Sequence, residues 1–148
     1  MNEPLGFLVA DLARLLRRDF DLRAREIGVT NAQWRTLKTL ARHEGSNQGA
    51  LAELLEVEPI TLARMLDRLE DAGLVERRRD PADRRAWRIH LTDAAQPLIG
   101  QLRDIADELV EDALAGISEA DRAQMRRTLD RVRTNLITTN DNQEAANG

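Results

Sequence analysis

Residues 59–92, PITLARMLDRLEDAGLVERRRDPADRRAWRIHLT, decide the fold. Proline suits the first turn of a helix, where its missing N–H would have no partner anyway. Behind Pro59, Leu62, Leu66 and Leu69 recur at helical spacing on one face, and Thr61, Arg64 and Arg68 fall on another. The helix therefore has a dry side and an arginine side, and Gly73 ends it. Two strand patterns follow, Leu74 to Arg79 and Ala86 to Leu91; in the second, Trp87, Ile89 and Leu91 alternate with Arg88 and His90. Asp80-Pro81-Ala82-Asp83 between them is turn chemistry, so the six arginines of residues 77–90 flank a hairpin tip.

Upstream, Thr30-Asn31-Ala32-Gln33 has the form of a capping box, and it opens a helix with Trp34, Leu37 and Leu40 inward that ends before Gly45. The polar break Gly45-Ser46-Asn47 leads to a short helix whose apolar face is Leu51, Leu54 and Leu55. Two short helices, a tight turn and a hairpin make a winged helix-turn-helix over residues 30–92. Before it, Leu5, Leu8, Leu12, Leu15 and Leu16 predict a helix from about Pro4 to Ile27, stopped by Gly28. After it, Thr92-Asp93 can cap a long helix carrying Leu98, Ile99, Leu102, Ile105, Leu109 and Leu114, and Ser118 opens a last one with Met125, Leu129, Val132 and Leu136. The expected fold is mainly α, six helices with a two-stranded β-wing. The regions 5–29 and 93–137 offer more apolar stripe than one small domain can cover, which predicts a homodimer. Residues 138–148 are polar without periodicity and predict a disordered tail.

Charge is placed unevenly. The whole chain has a formal net charge of -4, yet Glu76 to Thr92 carries six arginines against three acids, while Asp93 to Gly148 carries six against eleven. A local basic patch on an acidic body is a partner-facing feature. Guanidinium groups form charge-assisted hydrogen bonds to phosphate, and a hairpin with arginines at its tip can enter a minor groove beside a helix lying in the major groove. Double-stranded DNA is the partner this arrangement suits.

Other classes find little support. No segment approaches the ~18 continuous apolar residues of a membrane span, and the start MNEPLGFLVAD has no basic leader, so a cytoplasmic protein is expected. Cysteine is absent, which removes disulfides, thiolate metal sites and thiol redox sensing. His43 and His90 stand far apart without cysteine nearby, so neither a metal nor another cofactor is expected. Phosphate loops, nucleophile elbows and HExxH motifs are missing, and paired acids such as Asp107 and Glu108 read as the wet face of a helix; catalysis is not expected. The bland readings of the arginine helix are surface ion pairs, Arg64 with Asp67 and Arg68 with Asp71. For Trp34 and Trp87 the bland reading is packing.

The run from Pro59 to Ala95 resembles the signature of the MarR family of bacterial transcriptional regulators. GLVER at Gly73 to Arg77 precedes Asp80, Asp83, Arg84, Arg85, Leu91 and Thr92 at that family's spacing, and TNAQWRTL at Thr30 to Leu37 resembles its second helix. Within the family the chain is most similar to the branch that includes SlyA. The resemblance implies an interlocked homodimer, built from the first and last two helices, whose two winged domains reach successive major grooves of a pseudo-palindromic operator. It places Gln48, Pro59, Ile60, Thr61, Arg64 and Arg68 of the helix-turn-helix at DNA, with Arg77, Arg78, Arg79, Arg84, Arg85 and Arg88 of the wing. Arg84 or Arg85 would enter the minor groove, and Asp80 and Asp83 would steady the tip. Glu56 stands where the family's turn often has glycine. The resemblance also implies a repressor released by a small aromatic carboxylate, for which Trp34 would be a wall and Arg14 or Arg17 the anchor. The rival reading is a winged-helix protein-interaction module that does not bind DNA.

Overall fold

The computed structural model describes residues 2–147. Its elements run α1 (Leu5–Ala24), a 3-10 turn (Arg25–Ile27), α2 (Asn31–Arg42), α3 (Gln48–Leu55), α4 (Pro59–Asp71), β1 (Val75–Arg79), β2 (Trp87–Leu91), α5 (Ala95–Ala113) and α6 (Glu119–Asn147). The described residues fall into two compact units that divide inside α5, one up to Leu109 and one from Val110.

In the first unit the chain's punctuation acts as local physics requires. Thr30 accepts from the Gln33 amide and Gln33 accepts from the Thr30 amide, closing the capping box of α2. Asn47, read from sequence only as part of a polar break, caps α3 by accepting from Ala50 N at 2.7 Å. Helical spacing then delivers one core. Phe20 and Ala24 of α1 meet Trp34, Leu37 and Leu40 of α2, and Leu51 and Leu55 of α3 join Leu62, Leu66 and Leu69 of α4. Val75, Ile89 and Leu91 bring in the base of the hairpin, and Ile99 and Leu102 bring in α5. Each such leucine contributes about 1.5–3 kcal/mol of burial. Leu54, expected on the inner face of α3, is exposed instead, because on a helix of eight residues the turn shared by Leu51 and Leu55 takes the core contact. Thr92 does not cap α5 with its hydroxyl, which donates to Gly73 O at 2.6 Å and ties the end of the hairpin to its beginning.

Between α3 and α4 the backbone turns through Glu56 at φ 53°, the left-handed region. A side chain there is strained by about 1–2 kcal/mol, part of which glycine gives back as unfolded-chain entropy. Glu56→Gly is expected to raise stability by about 0.5–1 kcal/mol, measured as the midpoint of urea unfolding. An unchanged or lower midpoint would show that the turn carries no such strain.

The second unit is organised by Arg122. Its guanidinium reaches Glu111 at 2.9 Å, Leu114 O at 2.8 Å and Ile117 O at 3.0 Å, satisfying carbonyls at the turn before α6. Ser118 caps α6 by accepting from Asp121 N at 3.1 Å. The helix continues to Asn147, so the disordered tail expected over residues 138–148 is not found in its described part. No glycine or proline interrupts residues 119–147, and Thr138 and Thr139 return their hydroxyls to the carbonyls of Thr134 and Asn135. None of the residues of α6 is buried, and its stripe of Met125, Leu129, Val132 and Leu136 lies open.

Candidate nucleic-acid interface

The wing is a ladder of five pairs, Val75↔Leu91, Glu76↔His90, Arg77↔Ile89, Arg78↔Arg88 and Arg79↔Trp87. Alternation puts Val75, Arg77 and Arg79 on one face with Leu91, Ile89 and Trp87, so that face passes from buried hydrocarbon at its base to cation and indole near the tip. Backbone bonds hold the base against the loop before α3, from Gly45 N to Ile89 O and from Ile89 N to Ser46 O, both 2.9 Å. Gly45 is required here: its φ is 81°, and a Cβ would lie 3.3 Å from the His90 ring.

Acids decide which wing arginines are engaged. Arg77 has only 15% of its side chain exposed, pairs with Asp67 at 2.8 Å and Glu70 at 3.3 Å, and donates to Ala63 O at 3.1 Å. It fastens the wing to α4, its largely desolvated guanidinium engaged by two acids and a carbonyl inside the unit. The alternative reading of Arg64 as a surface ion pair with Asp67 is not found, since Asp67 turns to Arg77. Arg78 and Arg88 stand directly opposite each other, and their repulsion is relieved by Glu76 on Arg78 and by Asp80, 3.0 Å from Arg88.

Asp80 and Asp83 both brace the tip. One Asp80 oxygen accepts from Ala82 N at 2.8 Å and the other from Arg88 Nε, while Asp83 accepts from Arg85 N at 3.0 Å. The Ala82 amide first, and the Arg88 side chain next, hold the Asp80 carboxyl below its ordinary range. The brace is therefore charged at neutral pH, and it is lost only as pH falls through that depressed value. The backbone closes beneath it, Asp80 N to Ala86 O at 3.1 Å and Ala86 N to Asp83 O at 3.0 Å.

Arg84 and Arg85 project from this braced turn with side chains that make no ion pair among the described residues, and Arg64 and Arg68 do the same on α4. Thr61 and Ile60 are exposed on the same helix beside Pro59. A cleft of about 360 Å³ between the wing and the first turns of α3 and α4 is lined by Gln48, Pro59, Arg85 and Trp87, so it joins three of the expected positions. Trp87 shares the face of Ile89 and Leu91, as the alternation predicts, but packs outside the core. It is 37% exposed and lies against Arg79, because the apolar alternation of β2 runs past the edge of the core at its outer end. An aromatic opposite an arginine at the last pair before a turn was the available signal.

The residues expected to meet a ligand, Trp34 with Arg14 or Arg17, lie on α2 and α1. Trp34 is 5% exposed and stacks on Phe20 at 6.2 Å, with Lys38 over its ring, so it serves as core. Arg14 is paired on its own helix with Asp11 at 2.7 Å, and Arg17 is exposed without an ion pair among the described residues. Among the described residues no group of acids and histidines could hold a metal ion, and no helix is long and apolar enough to cross a membrane.

Residues 29–87 match the family model described as MarR family. Over the larger part of the chain the structure is similar to several solved ones. The transcriptional regulator PA3341 is 40% identical, with 91% of this chain and 99% of that one covered at a TM-score of 0.78. A MarR transcriptional regulator from Methanosarcina mazei Go1 is 28% identical, covering 90% of this chain and 96% of that one at a TM-score of 0.84. MepR of S. aureus, solved as a complex with DNA, is 25% identical, covering 90% of this chain and 99% of that one at a TM-score of 0.78. With this likeness added to the six helices and the two-stranded wing, the chain belongs to the MarR family of transcriptional regulators.

Proposed function

We propose that this regulator binds a pseudo-palindromic DNA duplex as a homodimer and represses the promoter it covers. The observation that carries the reading is the distribution of uncommitted guanidinium groups. Of the arginines on α4 and the wing, Arg77, Arg78 and Arg88 are engaged by acids and Arg79 by the Trp87 ring and the Arg84 carbonyl, while Arg64, Arg68, Arg84 and Arg85, with neither kind of partner, stand on the outer face of α4 and at the wing tip. Helix in the major groove and hairpin in the minor groove is the arrangement that uses both sets at once. The exposed apolar stripes of α1 and α6 support the dimer, which a two-fold operator requires. The DNA complex of MepR supports duplex DNA as the partner class. Release by a small aromatic carboxylate draws no support from the side chains named for it, since Trp34 packs on Phe20 and Arg14 pairs with Asp11.

Duplex fragments selected from the source genome by the purified protein test the reading. Binding should weaken with salt, log affinity falling by about 0.9 per phosphate contacted for each unit of log salt. Binding that is absent, or indifferent to salt, would overturn it. Repression is checked by a reporter placed behind a selected fragment.

Arg64 carries the specificity prediction. Its place on the outer face of α4, one turn after Thr61, suits a bidentate contact to a guanine edge. Arg64→Ala is expected to cost ~1–3 kcal/mol on the selected operator and to relax preference at one base pair per half-site. An equal loss on operator and random duplex would make Arg64 a phosphate contact instead.

A further inference from the structure

We infer that Trp87 is a positioning residue for the wing tip, acting through Arg79 on the backbone of Arg84. The inference rests on the DNA-binding reading for its consequence, but its structural part stands without DNA. Arg79 and Trp87 are directly opposed at the last rung of the ladder. The Arg79 guanidinium lies 4.7 Å from the centre of the Trp87 ring, and its Nη1 donates to Arg84 O at 2.8 Å. A guanidinium on an indole face keeps its N–H groups in the plane of the stack, free to bond at the edge. The indole thus aims Arg79, and Arg79 fixes the carbonyl of the first of the two tip residues that carry no ion pair. Asp83 fixes the amide of the second, Arg85. Arg79 is therefore committed to the tip as Arg77 is committed to α4, and its role is to present Arg84 and Arg85 in one arrangement before DNA arrives.

Trp87 does this with little core duty, being 37% exposed, so replacing it leaves Ile89 and Leu91 to hold the strand. Removing one exposed cation–π interaction lowers the equilibrium constant for ordering the tip about two- to fivefold, and apparent affinity falls by at most that factor, because only the binding-competent fraction counts.

Trp87→Phe and Trp87→Leu test it, because phenylalanine keeps an aromatic face and leucine keeps only bulk. In the DNA-free protein, the Arg79 side-chain protons should be shifted upfield by the indole, retain much of that shift in the phenylalanine variant, and lose it in the leucine variant. Amide exchange at Arg85 and Ala86, the bonded amides of the tip, should quicken about two- to fivefold in Trp87→Leu, with no further change when Arg79→Leu is added. Binding to selected duplex should weaken by no more than that factor in the leucine variant, stay near wild type in the phenylalanine variant, and keep its salt slope, since every phosphate-binding side chain is still present. Tip exchange unchanged in Trp87→Leu, or a phenylalanine variant as impaired as the leucine one, would overturn the assignment. If the unaltered protein fails to bind duplex, the DNA reading falls, and the exchange measurements still decide the role of Trp87.

Discussion

A chain ending at Ile117 is expected to lose the dimer and to sediment as aggregate or unfolded material, where the full chain sediments as a folded dimer. α6 contributes no buried residue within its own chain, yet Leu129 is 51% and Leu136 61% exposed along a stripe that includes Met125 and Val132. Leu5, Leu8 and Leu12 form a second open stripe on α1. Each leucine covered by a partner contributes about 1.5–3 kcal/mol, so stripes of this length outweigh the few kcal/mol by which a domain is stable. Cutting at 117 removes one stripe and leaves the other without cover, and obligate dimers often have no stable folded monomer. Leu129→Glu with Leu136→Glu in the full chain separates lost surface from lost length, and it should also abolish the dimer. A soluble, folded monomer from the truncated chain would refute an interlocked assembly.

Replacing Arg84 and Arg85 together by alanine should weaken binding to a selected duplex by more than ~1 kcal/mol and lower its salt slope by about 0.9 for each phosphate that the variant no longer neutralises. Thermal unfolding should be unchanged, because neither guanidinium is paired within the described chain and the tip is closed by backbone bonds and by Asp80 and Asp83. Arg77→Ala is the contrasting variant. It leaves Asp67 and Glu70 without their shared cation, and it should lower the melting temperature while the salt slope of the folded fraction stays as it was. Affinity and salt slope both unaltered in the double variant would remove the wing tip from the interface.

The two arginine variants differ in a way the residues alone do not show. RRR at 77–79 and RR at 84–85 are equivalent as composition and nearly so as pattern. Their roles separate because Asp67 and Glu70 of α4 lie beside Arg77, while among the described residues no acid pairs with the side chains of Arg84 and Arg85. That Trp87 packs outside the core was hidden for a related reason. Period-2 alternation gives the face of a strand, not the point along it where the core stops. Trp34 shows the reverse: helical spacing marked it as an inward residue, and it stacks on Phe20 within the core.

What the sequence determined by itself is whatever depends on neighbours a few positions apart. The capping box at Thr30, Pro59 opening α4, the strained turn at Glu56, the apolar faces of five helices and the acid-braced hairpin are all of that kind. They suffice for six helices and a wing, because helix and turn preferences act over one or two turns of chain. The tertiary structure alone decided which guanidinium groups are engaged, where the core ends on β2, and that the last helix persists to Asn147. Arg77 meets Asp67 across the packing of strand on helix, and a charge is free or committed according to what folding brings within about 4 Å, where the attraction exceeds screening.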